Sequence, residues 1–324
     1  MQEQAQEQGV ETLLRFAHLS DPHLTSLDNV AWRQLRGKRV LGYLSWWHKR
    51  RHVHQRGTLD AVTTDALADA PNHIALTGDL THIGLPHEHA EARDWLAHLN
   101  AHVGVSLSPG NHDLYAQDSI ASMYANWQHF LPAETHWPRV EVRGDVHFIA
   151  LCSGDPSEPL FATGHLGDRQ LEGLREALRA AHDKIRVLLI HHSPHPDSHP
   201  PRKQLRDRGA MIELLAEHGA ELVLHGHSHR ASALLLVAGS WRIPVLGAPS
   251  ASVHSDSPER AAGYHRIVIE RKGIERKVIE QRGIERRASE RTNEQLQARI
   301  ETRRWTSAGM ITSQQQTLPL GRAR

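Results

Sequence analysis

The residues of this chain that could do chemistry stand in short polar clusters: Asp21-Pro22-His23, Gly78-Asp79, Gly110-Asn111-His112-Asp113, His191-His192 and Gly226-His227-Ser228-His229. Each ends or closely follows an apolar run, and together they offer carboxylate, amide and imidazole donors with no thiolate. Such a donor set suits Mn, Fe or Zn in an open catalytic site and speaks against a closed structural zinc site built on cysteine. In extended backbone, residues i and i+2 point to the same side. Asp21 with His23, and His227 with His229, are therefore each expected to aim two ligands into one cavity. The pattern points to two divalent metal ions held at the carboxyl ends of buried strands.

Apolar runs and amphipathic stretches alternate around these clusters, and they supply the elements that must position them. Leu13 to Leu19 reads as a strand delivering Asp21, Ile74 to Leu76 as one delivering Asp79, and Val103 to Leu107 as one delivering Asn111. Glu88 to Leu99 has helical composition. Leu171, Leu174, Leu178 and Ala181 recur at helical spacing, with Asp168 as the N-cap. Met211, Leu214 and Leu215 mark a helix closed by Gly219, which leads into Leu222-Val223-Leu224 and the last cluster. The run Val187 to Ile190 ends just before His191, which favours His191 over His192 as the inward group. The alternation implies an α/β fold of stacked sheets flanked by helices, with ligands on loops at the strand ends.

Taken in order, D-x-H, GD, GNHD, H and GHxH resemble the calcineurin-like metallophosphoesterase superfamily from about Ala17 to about Pro249. No single cluster is specific; the ordered set is. The resemblance implies a two-sheet α/β sandwich in which Asp21, His23, Asp79 and His229 hold one metal, Asp79 bridges, and Asn111, His191 and His227 complete the second. It implies hydrolysis of a phosphate ester or phosphoanhydride by metal-activated water, with two cations about 3.5–4 Å apart clamping the attacking and leaving oxygens. His112 would contact the phosphate and assist the leaving oxygen. Asp113 beside it reads as the carboxylate that orients the imidazole and raises its pKa.

Within the superfamily, phosphoprotein phosphatases follow GD with Asp-Arg-Gly, whereas Gly78-Asp79 here continues as Leu80-Thr81-His82-Ile83-Gly84. GNHD followed by H-H-x-P is more like the bacterial phosphodiesterase branch, which includes cyclic-nucleotide phosphodiesterases and UDP-diacylglucosamine pyrophosphohydrolases. The expected substrate is accordingly a phosphorylated small molecule or a lipid-linked one. A nuclease, which would want a long basic stripe, and a non-catalytic docking protein, which would normally have lost ligands, are the alternatives.

Other residues receive plainer readings. In a chain with 27 histidines, most are solvated surface groups, and His48, His52, His54, His87, His89, His98 and His199 are placed there. His225 is either a structural histidine or a substrate-side group. Cys152, the single cysteine, sits in an apolar run and reads as a small buried hydrophobe; one cysteine allows no internal disulfide and fits a reducing compartment. A net charge of +1 with a pI near 8.1 does not resemble a dedicated nucleic-acid binder. Met1 to Glu11 is Gln/Glu-rich and unlike a signal peptide, and no apolar run nears the ~20 residues that span a bilayer. The expected location is cytoplasmic, with peripheral membrane contact left open.

The chain divides into a flexible start (1–12), a catalytic domain (13–290) and a Ser/Gln/Thr-rich end expected to be disordered (305–324). Between them, Gly-Ile-Glu-Arg elements beginning at Gly273 and Gly283 suggest a hairpin or edge strands. The segment 29–56 is a basic-aromatic insertion. Its Trp46, Trp47, Lys49, Arg50 and Arg51 suit an anionic lipid surface, a substrate cap, or a helix whose aromatics pack onto the domain.

Overall fold

The central strands form where apolar runs are covered on both faces. The computed structural model describes residues 9–134, 136–156, 161–273 and 295–321. Its strands are β1 (Val10–Leu19), β2 (His73–Leu76), β3 (Val105–Leu107), β4 (Arg139–Arg143), β5 (Val146–Ala150), β6 (Ile185–Leu189), β7 (Leu222–His225), β8 (Ser232–Ala238), β9 (Trp241–Gly247), β10 (Gly263–Lys272), β11 (Gln295–Thr306) and β12 (Gly309–Pro319). They make two 6-stranded sheets, in the orders β12-β11-β10-β1-β2-β3 and β4-β5-β6-β7-β9-β8. β1, β2 and β3 run parallel in the first sheet, and β5, β6, β7 and β9 in the second. β2, β6 and β7 are buried along their whole length, as parallel strands covered on both faces must be.

The helices are α1 (Lys38–Ser45), α2 (Arg51–Val53), α3 (Arg56–Ala68), α4 (Pro86–His102), α5 (Gln117–Trp127), α6 (Asp168–Ala180) and α7 (Arg208–His218). One core fills the space between the sheets, where Phe16 meets Phe148 edge-on at 5.1 Å, and takes in Leu59 and Val62 of α3 and Leu96 and Leu99 of α4. A second core packs Leu174, Leu178, Met211 and Leu215 of α6 and α7 against Ile149, Leu188 and Val223. Burying side chains of this size stabilises the fold by about 1.5–3 kcal/mol each. The architecture is the two-sheet α/β sandwich that the resemblance implied. Its consequence for function is geometric: the polar clusters all follow the carboxyl ends of β1, β2, β3, β6 and β7.

Three boundaries differ from the sequence reading. β1 begins at Val10, so residues 10–12 are strand and not a flexible start. Asp168 is the first helical residue of α6, behind an N-cap at Gly167. The end read as disordered forms β12, paired with β11 from Gly309 to Pro319. Its polar composition is that of an edge strand whose backbone is satisfied by the ladder, while Met310 and Leu318 reach the core. Of the Gly-Ile-Glu-Arg stretch, Ile267 to Glu270 belongs to β10, and the repeats after Gly273 lie outside the described residues.

The insertion is docked on the domain. Trp46, only 2% exposed, joins Leu27, Leu35, Ile83, Leu85 and Tyr115 in a small core of its own. Arg39, in the first turn of α1, is buried against the domain, donating to the carbonyls of Ile83 (3.1 Å) and Gly84 (3.0 Å) and pairing with Asp118 at 2.7 Å. After α1 the chain makes one π-helical turn, Trp46–Arg50. Of the five residues for which a lipid surface, a cap and packing onto the domain are the alternatives, Trp46 is therefore a core residue, as the packing alternative expects. Arg50 is half-buried and turned toward His112, while Trp47 and Lys49 stay exposed and Arg51 stacks over the Trp47 ring at 3.9 Å. A period of aromatic and basic residues cannot by itself distinguish the two faces of so short a helix.

Candidate metal centre

Asp79 stands at the middle of the site. Its Oδ2 lies 3.2 Å from His191 Nε2 and 3.9 Å from His23 Nε2, and its Oδ1 accepts the His112 backbone N–H at 2.8 Å. Asp21, His23, Asp79 and His229 offer ligand atoms within 4.8 Å of one another, and His191, His192 and His227 do the same on the other side. His229 Nε2 is 3.1 Å from Asp21 Oδ1, and His191 Nε2 is 3.2 Å from His227 Nδ1. Asn111, from the loop after β3, is buried nearby. The sequence-predicted residues are thus brought together around one carboxylate, from five separate loops.

The backbone achieves this by a route that the sequence argument did not foresee. Among the described residues, the non-glycine positions with left-handed backbone are Asp21 (φ 49°), His23 (37°), Asp79 (56°), His227 (69°), His229 (56°) and Ala70 (47°). All but the last belong to the site. The paired residues therefore converge through left-handed turns just past the strand ends, not through the alternation of an extended strand. Each such residue costs on the order of 1–3 kcal/mol, which the surroundings must offset. Asp113 supplies much of that: its carboxylate accepts the backbone N–H groups of Asp79 and Gly110 (both 2.9 Å), Leu80 (2.8 Å) and Thr81 (3.0 Å). Asp21 N–H donates to the Gly78 carbonyl and His23 N–H to the Asp79 carbonyl, at 2.9 and 3.0 Å. Glycine is required where these loops touch. A Cβ on Gly110 would collide with Asp79 Oδ1, and one on Gly226 with Ser20 Oγ.

The role given to Asp113 is corrected by these contacts. Its oxygens are spent on backbone, and the orienter of His112 is the His82 carbonyl, 2.5 Å from His112 Nδ1. Burial, then the nearby Arg50 charge, hold the His112 imidazole well below its usual pKa, opposite in direction to the effect of a neighbouring carboxylate. Burial and the Asp79 charge push the Asp113 carboxyl up to about 7, against the N–H donors that favour its ionised form.

The residues fit a pair of cations. Asn111 Oδ1 and His227 Nε2 are buried with no hydrogen-bond partner, an arrangement that costs free energy unless something else binds them. His23 Nδ1 donates to Thr81 O (2.8 Å) and His191 Nδ1 to Thr77 O (2.6 Å), fixing the tautomers that leave each Nε2 facing Asp79. Burial resists protonation of His191, yet Asp79 and Asp21 raise it to about 9. Two buried carboxylates facing a basin of imidazoles thus draw positive charge to themselves, and a divalent cation supplies it without a proton. Burial keeps His23 and His227 neutral, the form in which imidazole ligates.

Several histidines assigned to the surface are not there. His54 is half-buried with its ring 4.5 Å from that of His23, and with His23 and His229 it forms a further set of clustered donors. His199 is buried against His227 and His225. His89 is buried, lying between Ser122 and the Asp113 carbonyl. His48, His52, His87 and His98 are exposed. His192 is buried with Nδ1 beside Ser153 Oγ (2.9 Å), while His191 makes the contact with Asp79. His225 is buried, and so is Cys152, whose thiol burial pushes up to about 12. Glu88, given no role in the sequence beyond a helical stretch, is buried and accepts the backbone N–H groups of His82, Ile83 and Leu85. Its only sequence signal was its place in the first turn of a helix.

Comparison with known proteins agrees with this geometry. The family model for calcineurin-like phosphoesterases matches residues 14–231. A probable cyclic nucleotide phosphodiesterase of Synechococcus sp. is 28% identical over 214 residues, 63% of this chain and 74% of that one. The glycerophosphodiester phosphodiesterase GpdQ of Enterobacter lignolyticus is 25% identical over 244 residues, 74% of this chain and 77% of that one. The fold resembles a dimetal phosphatase from Danio rerio, with a TM-score of 0.58 at 14% identity over 81% of this chain and 96% of that one. No helix among the described residues is long and apolar enough to cross a membrane. With most of its length matched, from the first cluster to the last, the chain belongs to the calcineurin-like phosphoesterase family and is a metal-dependent phosphoester hydrolase with a binuclear divalent metal centre.

Proposed function

We propose that the chain is a phosphodiesterase acting on a small phosphorylated molecule, with Asp21, His23, Asp79 and His229 holding one cation and Asp79, Asn111, His191 and His227 the other. The observation that carries the assignment is the pair of buried orphan atoms, Asn111 Oδ1 and His227 Nε2, beside the Asp79 carboxylate. Bound divalent cations supply Lewis-acid charge for an in-line displacement at phosphorus and acidify water at neutral pH. Donor chemistry without thiolate keeps Mn, Fe and Zn as the metals. His112, with Nδ1–H donated to the His82 carbonyl, has Nε2 as the atom that contacts the phosphate; in the neutral ring that nitrogen carries no proton, so it assists the leaving oxygen only once a bound anionic phosphate has drawn a proton onto it. Asp113 holds the GD and GNHD loops together and touches no substrate.

A phosphodiester is favoured by the relatives, a probable cyclic nucleotide phosphodiesterase and a glycerophosphodiester phosphodiesterase. The test is a panel with Mn present: cyclic nucleotides, glycerophosphodiesters, bis-p-nitrophenyl phosphate, nucleotide-diphosphate lipids and phosphomonoesters. Diesters turned over ahead of monoesters support the proposal; the reverse order contradicts it.

One observation favours a second reading, that the substrate is presented at a lipid surface. The outer face of α1 and of the π-helical turn after it leaves Val40, Leu41, Leu44 and Trp47 between 39% and 50% exposed, in a segment rich in Arg and Lys. Leu41→Ser, Leu44→Ser and Trp47→Ser together should abolish sedimentation with anionic vesicles and leave turnover of a soluble diester unchanged. Wild-type protein that ignores such vesicles rules this reading out.

A further inference from the structure

Arg50 leaves the π-helical turn of the insertion and ends beside His112, its Nη1 3.1 Å from His112 Nδ1. That contact cannot be a good hydrogen bond, because the Nδ1 proton already points at the His82 carbonyl 2.5 Å away. The guanidinium has donors to spare and no acceptor there. Among the described residues no carboxylate lies within ion-pairing distance of it, whereas Arg39 on the same insertion is paired with Asp118. Burial works against its charge, only partly offset by Tyr115, Asp79 and Glu88. A guanidinium stays protonated at any pH a protein meets, so this one is a desolvated cation held toward the metal centre without an anion.

Lys203 repeats the pattern. It ends the short 3-10 turn Pro201–Lys203, is half-buried, and has no ion-pair partner among the described residues. Gln204, next to it, donates to the His199 carbonyl at 2.8 Å, and the Lys203 charge bears on His199 and His227, whereas Arg50 stands beside His112. Two unpaired cations beside one hydrolytic site call for a polyoxygen anion.

We propose that Arg50 binds a non-bridging oxygen of the substrate phosphate beside His112, with the insertion as the arm that carries it in, and that Lys203 adds its charge to the same group. The inference rests on the phosphodiesterase reading and adds to it the residues that grip the phosphate. It also gives the insertion a task inside the site, separate from any use of its outer face.

The test uses the full-length metal-loaded protein and inorganic phosphate as the probe, with phosphate affinity measured by titration calorimetry alongside KM, kcat and metal content. Arg50→Ala should weaken phosphate about 10–100-fold and raise KM for bis-p-nitrophenyl phosphate comparably, with metal per chain unchanged. Arg50→Lys, which keeps the charge and loses the fork, should fall between the two, and Lys203→Ala should weaken phosphate less than Arg50→Ala. Unchanged phosphate affinity in Arg50→Ala with metal retained would overturn the proposal and leave Arg50 as a tether for the insertion. If Arg50→Ala is unfolded, Arg50→Lys decides, wild-type affinity for phosphate counting against the proposal. Absence of metal or of diester turnover in the wild type would instead strike the underlying reading, and phosphate calorimetry would still judge Arg50.

Discussion

The metal-site loops and the insertion that leans over them are held by opposite means. The loops are short, polar and strained, and backbone hydrogen bonds to the motif residues themselves hold them: Asp113 takes the N–H groups of both GD and GNHD segments, and Gly110 and Gly226 let the chains touch. The insertion is held by side chains, with Trp46 in a small apolar core and Arg39 in a buried polar seat. A loop fixed through its own motif keeps its ligands in place whatever the surrounding surface becomes. A segment fixed through two anchors can change every other residue, which suits a part that meets the substrate.

That contrast can be broken at its strongest point first. Asp79→Ala removes the carboxylate shared by the two halves of the site and should lower diester turnover by about 10³-fold or more with loss of bound metal, checked by kinetics and elemental analysis. The fold should survive, because the Asp113 clamp uses the Asp79 backbone and not its side chain. In the insertion the largest effect should come from an anchor: Trp46→Ala should cost about 3–5 kcal/mol by denaturant unfolding, while Trp47→Ala on the same turn should stay within about 0.5 kcal/mol. Equal effects of the two would mean that the insertion is not seated as described.

A smaller effect separates clamp from catalyst. Asp113→Asn keeps the shape and turns an NH2 toward backbone N–H donors, so it should destabilise by about 2–3 kcal/mol and weaken metal about 10–100-fold. Its rate should keep the wild-type dependence on leaving-group pKa, because Asp113 does not touch the His112 ring. A dependence that changes in this variant would restore Asp113 as the partner of His112.

The grouping of the candidate site was legible because metal ligation depends on donor type, and Asp, Asn and His in fixed order single out these residues without any knowledge of packing. The strands behind them were legible from apolar runs such as Val187 to Ile190. What was missed depends on contacts between distant segments. His54 reads as a surface histidine until the end of the insertion is laid against Ser252 and His23. The adjacency of His112 and Asp113 suggested a pair, yet neighbours in sequence need not face each other, and Asp113 turned to the backbone instead. β12 looked disordered because its glutamines and threonines bury little, and pairing along β11 cannot be seen in composition. The left-handed turns at Asp21, His23, Asp79, His227 and His229 leave no mark in residue type beyond the tolerance of Asp and His for that conformation.

The central claim is that one carboxylate, Asp79, joins two metal positions built from the five polar clusters. Anomalous diffraction from Mn-loaded crystals tests it most directly. The account predicts two peaks that share Asp79 as a ligand, one reached also by Asp21, His23 and His229 and the other by Asn111, His191 and His227. A single peak, or a metal held by His23, His54 and His229 away from Asp79, would contradict it.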